Sequence, residues 1–191
     1  MRMKIASFLF VASTAAALTI DAQTPTPTAT PVVLTPQQQA ARDATRERLR
    51  TLLAAESPNL DIGFRPSEKE PYNIVGALNI GLANADSFEI VVSVTTKSTI
   101  GFRVYPHYKG DYINLDKALD KAGLSRLLLR LSDRAFLFWG ADDAFDVFTA
   151  YTFTLESGFP DEAIKVVLRS IVNSDKFVGE MRPFIDGSAA R

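Results

Sequence analysis

Three clusters of polar side chains in this sequence could carry chemistry, and the first is acidic. Asp142, Asp143 and Asp146 lie close together in the chain, and Ca²⁺ prefers several carboxylate and carbonyl oxygens. Aspartate also forms turns readily, and this segment has neither the spacing of an EF-hand loop nor its bidentate glutamate. The sequence therefore predicts a solvated hairpin turn here and no metal site.

His107 is the only histidine in the chain. A serine–histidine–aspartate triad needs just one, but the sequence lacks the GxSxG nucleophile motif, and His107 lies where a strand is predicted to end. A role on the surface or in packing is therefore favoured. We predict no catalytic residue and no cofactor.

Arg126, Arg130 and Arg134 recur every four residues and form a basic edge on a predicted helix. Such an edge could contact an anionic lipid headgroup or an acidic partner. A charged outer side is also typical of any surface helix, and the sequence favours that interpretation.

Apolar residues occupy the second side of several predicted strands, where a solvated sheet should be polar. They are Val91, Leu137, Trp139 and Phe148. Two explanations stay open at this point: a helix covers that side, or the side is an interface. On the second explanation these four residues are the predicted contacts with a protein partner or with a second copy of the chain.

Charge and cysteine content exclude several classes of function. The chain has 21 basic and 22 acidic residues, a net charge of −1, and no cysteine. Disulfides, thiolate metal sites and cysteine nucleophiles are therefore excluded. The balanced charge gives no electrostatic reason to bind nucleic acid, so we predict no such partner.

The N-terminal residues indicate export. Arg2 and Lys4 precede an apolar run from Ile5 to Ile20, and Ala22 supplies a small residue for cleavage. This pattern predicts a signal peptide at residues 1–22, a periplasmic or extracellular location, and no stable membrane span after cleavage. Residues 23–36 alternate Thr and Pro, as in an extended linker.

The rest of the chain predicts one α+β domain at residues 37–187 and a short tail at 188–191. Thr35, Pro36 and Gln38 match a helix start with a capping box, and Pro58 is expected to end that helix near Glu56. Apolar residues then alternate with a period of two from Tyr72 to Pro106, which predicts three antiparallel strands.

A second helical region from residue 115 to 131 follows, interrupted by Gly123, and then two strands joined by a turn at residues 140–143. An amphipathic helix after Pro160 closes the domain. The element order is α-βββ-α-ββ-α. It predicts an antiparallel sheet of about five strands with helices mainly on one face.

The stretch from Asn114 to Arg182 resembles the YbjN-like proteins, whose domain is similar to the fold of type III secretion chaperones. A helix leads into the strand Ala135–Asp142, a second strand reaches Glu156, and Gly158–Glu162 starts a closing amphipathic helix. The resemblance implies a non-enzymatic, chaperone-like module that binds a protein partner and forms a dimer. It implies no catalytic residues.

Two functions from different classes follow from these observations. The first is an exported protein-interaction module without catalytic activity. The alternative is a periplasmic protein that binds a lipid or another small apolar molecule in a pocket between the sheet and the helices. A hydrolase is less favoured than either.

Overall fold

A computed structural model describes residues 33–189, so the predicted signal peptide and residues 23–32 of the predicted linker lie outside the described residues. Two short 3₁₀ turns, Leu115–Lys117 and Val172–Ser174, each precede a longer helix. In chain order the helices and strands are α1 (Pro36–Leu60), β1 (Arg65–Pro66), β2 (Asn73–Leu78), β3 (Ser87–Val94), β4 (Thr99–Tyr108), β5 (Asp111–Tyr112), α2 (Lys121–Arg134), β6 (Phe138–Ala141), β7 (Val147–Thr154), α3 (Asp161–Ile171) and α4 (Asp175–Ile185).

Helix α1 begins at the predicted capping box. The Thr35 backbone N–H donates to Oε1 of Gln38 at 2.9 Å, and the Gln38 N–H donates to Oγ1 of Thr35 at 3.2 Å. The helix ends later than predicted, since Pro58 lies inside its last turn and the helix continues to Leu60. It closes where Asp61 adopts a left-handed conformation (φ 53°) and its N–H donates to the Ser57 carbonyl.

The strands of the described chain form one antiparallel sheet in the order β1-β2-β3-β4-β7-β6, with β5 paired to the end of β4. This arrangement confirms the predicted α+β class. The five longer strands are the predicted ones, and the two-residue strands β1 and β5 raise the count to seven. The predicted closing helix is two helices, α3 and α4.

One hydrophobic core lies between the sheet and the helices. Every second residue of the central strands faces it, such as Ile90, Phe102 and Phe153. All four helices contribute buried residues to the same cluster, including Leu53 and Leu168. Burying one such side chain contributes about 1.5–3 kcal/mol before the loss of conformational entropy is subtracted. The helices therefore lie on one face of the sheet, as predicted.

The intervening residues point to the opposite side, which we call the helix-free face. None of them belongs to the core cluster, and the described helices direct their buried residues to the other side. In antiparallel strands, residues directly opposite each other share a face, so the pairing register defines this set: Val75, Ala77, Glu89, Val91, Arg103, Tyr105, Phe138, Phe148 and Ala150.

Strand β6 is one edge of the sheet, and a side chain covers its outer backbone at Trp139. The hydroxyl of Ser132, in the last turn of α2, accepts a hydrogen bond from the Trp139 N–H at 2.9 Å. The same hydroxyl shares its one proton between the Trp139 carbonyl at 2.8 Å and the Leu128 carbonyl at 3.0 Å. The backbone groups of Trp139 that point away from β7 are therefore satisfied within the chain.

Candidate functional site

Four aromatic rings cross the helix-free face from its edge towards its centre. We call Phe138, Phe148, Tyr105 and Tyr112 the aromatic row. The centroids of Phe138 and Phe148 are 6.3 Å apart, those of Phe148 and Tyr105 5.8 Å, and those of Tyr105 and Tyr112 5.9 Å. The rings meet at tilted or edge-to-face angles, the arrangement that aromatic pairs prefer. They form a continuous apolar strip across β6, β7, β4 and β5.

The two phenylalanines of the row differ in accessibility. Phe138, on the edge strand, is 55% exposed, whereas Phe148 is 7% exposed. The ring of Phe148 lies among Phe138, Tyr105 and the guanidinium of Arg103. Phe138 therefore presents much of the exposed apolar surface of the row, and the buried ring of Phe148 packs against it.

Arg103 is an exposed cation in the middle of the row. Its guanidinium carbon lies 4.7 Å from the centroid of the Phe148 ring, a cation–π contact. Its Nη1 is 3.4 Å from the Tyr105 hydroxyl, a long hydrogen bond. None of the ion pairs in the described part of the chain includes Arg103. The aromatic rings position this cation, and none of the carboxylates of residues 33–189 lies within 4.0 Å of it.

The far end of the row is polar. The Tyr112 hydroxyl donates to Oε2 of Glu89 at 2.8 Å, and the His107 ring lies 4.2 Å from that of Tyr112. Burial, followed by the hydrogen bond to Glu89, raises the pKa of Tyr112 to about 12. The phenol therefore stays protonated and holds the Glu89 carboxylate in place.

His107 belongs to this polar end. Its Nε2 is 4.0 Å from Oε2 of Glu89, and this nitrogen is buried and makes no hydrogen bond. Ser87 is its cross-strand neighbour, but no hydrogen bond joins the hydroxyl of Ser87 to Nε2 of His107. The pair lacks the contact between nucleophile and base that nucleophilic catalysis needs.

The structure separates the four residues predicted to contact a partner. Val91 and Phe148 lie on the helix-free face, but Leu137 and Trp139 are 5% and 2% exposed and belong to the core. Trp139 packs edge-to-face on Phe177 of α4, with centroids 5.9 Å apart. The prediction that all four residues share one face is wrong. The register of β6 turns Phe138 to the helix-free face, and its neighbours Leu137 and Trp139 therefore face the core. Partner contact by Val91 and Phe148 stays a prediction.

Phe138, Arg103, Tyr105 and Tyr112 were not among the predicted contact residues. A signal for two of them was present in β4, where Arg103 and Tyr105 alternate with the inward-facing Phe102 and Val104. An aromatic residue two positions from an arginine, on the side of the strand opposite the apolar positions, is the feature that could have identified this face.

The acidic cluster is used within the fold. Oδ1 of Asp142 accepts the N–H groups of Ala144 and Asp146 at 3.0 Å each, and Oδ1 of Asp146 accepts Nδ2 of Asn114 at 2.8 Å. Within residues 33–189 no three acidic or histidine side chains converge on a possible metal position. The acidic segment is the turn between β6 and β7.

The predicted basic edge lies on the outer side of α2. Arg134 pairs with Glu180 of α4, whereas Arg126 and Arg130 are exposed and make no ion pair with another described residue. None of the helices between residues 33 and 189 has the length and apolar content needed to cross a bilayer.

A cleft of about 330 Å³ lies at the opposite end of the sheet from the aromatic row's polar groups, between the start of α1 and two turns. Its apolar walls include Leu34, Ala41, Val94, Leu155 and Phe159. Its volume is near the lower limit for small-molecule sites. A second groove, of about 520 Å³, adjoins the row and is lined by Val75, Ala77, Glu89 and His107 with a polar rim.

No family model and no curated protein matches this sequence. Two solved structures are similar to it. YbjN from E. coli is 13% identical with a TM-score of 0.46, over 71% of this chain and 89% of YbjN. A chain of the ExsC–ExsE complex is 13% identical with a TM-score of 0.43, over 75% of this chain and 98% of that one. The matches agree with the resemblance predicted from Asn114–Arg182, and likeness at this level does not extend to activity or partners.

Proposed function

We propose that this protein is a non-catalytic, protein-binding module whose partner binds on the helix-free face across the aromatic row. The observation that carries the proposal is Phe138, a large apolar side chain that is 55% exposed and continuous with three further rings. Contiguous exposed apolar patches on soluble proteins mark interaction sites, and aromatic residues are enriched at protein interfaces.

The surroundings of the row match the anatomy of a protein interface. Phe138 and Phe148 form the apolar end of the row, Arg103 lies in its middle, and Glu89 lies at its polar end. Interfaces commonly combine an apolar core with a polar rim. The adjoining groove of about 520 Å³ offers a concave region for side chains of a partner.

Site-specific photo-crosslinking tests this proposal. Replacing Phe138 by p-benzoylphenylalanine is expected to give a discrete crosslinked species of higher mass in the cells that make this protein. The replacement conserves an exposed aromatic ring and should not disturb the fold. Leu129, which is 72% exposed on α2, is the matched control position and is expected to give none. Crosslinking from position 129 but not from position 138 would refute the proposed surface.

We propose further that the protein is exported, on the strength of the basic and apolar residues within 1–22. Native mass spectrometry of the protein purified from its own cells is expected to give the mass of a chain that begins near Gln23. A mass that includes residues 1–22 would contradict export by a cleaved signal peptide.

A second candidate function, the binding of a small apolar molecule, is favoured by the cleft between α1 and the sheet. The same mass spectrum separates the two candidates. A second protein chain in the spectrum supports the first. A monomer with a discrete small adduct supports the second, and the mass of the adduct would indicate its chemical class.

A further inference from the structure

We infer that Arg103 selects a partner segment that presents a carboxylate between apolar side chains. This inference rests on the proposed function, since it concerns the partner of the same face. The observation behind it is an arginine at the centre of the proposed interface with no acidic partner of its own within the described residues.

The register places Arg103 where a bound partner would cover it. Arg103 lies opposite Val91 on β3 and opposite Ala150 on β7, in the middle of the sheet. Neither neighbour can neutralise a positive charge. Leaving a charge unpaired in a covered interface costs several kcal/mol. A partner that covers the aromatic row must therefore either supply an anionic group to Arg103 or bind weakly.

The guanidinium is already positioned for such a group. Its contact with the Phe148 ring at 4.7 Å and its hydrogen bond to the Tyr105 hydroxyl restrict it before any partner arrives. The planar guanidinium matches the geometry of a carboxylate and forms two parallel hydrogen bonds with it. Preorganisation of this kind lowers the entropic cost of binding.

The other cations near the row, Arg65 and Lys69, lie on the rim of the adjoining groove and not within the row. Oε2 of Glu89 accepts the Tyr112 hydroxyl and faces His107 at 4.0 Å. Arg65, on the rim of the adjoining groove, has Glu68 at 3.9 Å. Charge complementarity at the centre of the face therefore depends on Arg103.

The occupant that fits these features is an extended acidic peptide segment. In an extended chain, alternate side chains share a face. An acidic residue with an apolar residue two positions away on each side would set its carboxylate on Arg103 and its apolar groups on Phe138 and Tyr105. The specificity would come from the charge and much of the affinity from the rings.

The test uses three fluorescein-labelled synthetic peptides, Gly-Ser-Phe-Ser-Xaa-Ser-Phe-Ser-Gly, with Glu, Gln or Lys at Xaa. We expect the wild-type chain to bind the Glu peptide about tenfold more tightly than the Gln peptide, and the Lys peptide more weakly still, by fluorescence anisotropy. The preference should weaken at high salt, because the carboxylate–guanidinium contact is screened.

Variants of Arg103 assign the preference to this side chain. Arg103→Gln should abolish the preference for Glu, Arg103→Lys should retain part of it, and Arg103→Glu should favour the Lys peptide. Arg130→Gln, at an exposed arginine on α2, is the matched control and should bind like the wild type. Circular dichroism spectra establish that each variant is folded.

Three results would overturn the inference: equal binding of the Glu and Gln peptides, a preference that survives in Arg103→Gln, or no binding of the Glu peptide at millimolar concentration. None of them overturns the proposed function, which depends on crosslinking from position 138. If position 138 gives no crosslink but the chain prefers the Glu peptide, the proposed function fails and the preference of Arg103 for a carboxylate stands.

Discussion

Replacing Asp175 by Asn is expected to lower the free energy of unfolding by about 3 kcal/mol, since the loss of a buried, hydrogen-bonded charge typically costs this much. Asp175 is 7% exposed at the start of α4. Its carboxylate accepts the backbone N–H groups of Ala83, Asn84 and Ala85 at 2.7, 3.0 and 2.8 Å. An asparagine would turn an NH₂ group towards at least one of these donors.

The measurement is the midpoint of urea-induced unfolding, with Asp133→Asn as the matched control. Asp133 is exposed on α2 and should leave the midpoint nearly unchanged. If Asp175→Asn unfolds at the wild-type urea concentration, the carboxylate does not hold the loop between β2 and β3 in the way the hydrogen bonds indicate.

Gly179 lies against this loop as well, because a Cβ there would come within 2.7 Å of Oδ1 of Asn84.

Two adjacent residues of β6 are expected to lose very different amounts of stability on the same substitution. Trp139→Ala removes a large side chain that is 2% exposed, and such changes typically cost about 3–5 kcal/mol. Phe138→Ala removes a side chain that is 55% exposed and should cost less than about 1 kcal/mol. Urea denaturation followed by circular dichroism measures both, and each variant serves as the control for the other.

The comparison tests the orientation of β6 directly. A one-residue shift in its pairing would exchange the two faces, and Phe138→Ala would then be the more destabilising change. Comparable losses for the two variants would mean that both sides of β6 are covered, for instance by a second chain on the helix-free face. In that case the stability lost in Phe138→Ala would depend on the protein concentration.

The parts of the fold that follow from local chemistry could be predicted. The capping box at Thr35 and Gln38 acts within one turn, so the start of α1 needs no information from elsewhere in the chain. The alternation in β3 and β4 is also local, because one face of each strand is buried against the helices and is apolar throughout. These elements formed where the sequence predicted them.

The face of β6 could not be predicted, because its residues are apolar on both sides. In Phe136-Leu-Phe-Trp139 every position is large and hydrophobic, so alternation does not distinguish the core side from the outer side. Only the pairing of Phe138 with Ala150 and of Trp139 with Thr149 decides it. The predicted set of partner contacts consequently joined core residues to surface residues.

The division of the closing helix depends on contacts that are distant in sequence. The apolar stripe from Ile164 to Val178 predicts one helix, although Ser174 and Asp175 occupy the positions between Ile171 and Val178 where the stripe requires apolar residues. In the structure a 3₁₀ turn at Val172–Ser174 separates α3 from α4. The interruption places Asp175 beneath the loop between β2 and β3, to which it is hydrogen-bonded. No local signal in the sequence reports this loop.

The Ser132 hydroxyl has a consequence for crowded solutions of this protein. An edge strand with free N–H and C=O groups can add strands from other molecules, and the product of repeated addition is a cross-β fibril. The sequence of β6 is aromatic and uncharged, which favours such growth. At Trp139 the two outward groups are already bonded to Ser132, so a neighbouring molecule meets a closed edge at this position. We therefore expect this one hydroxyl to oppose strand addition at the aromatic edge of the sheet.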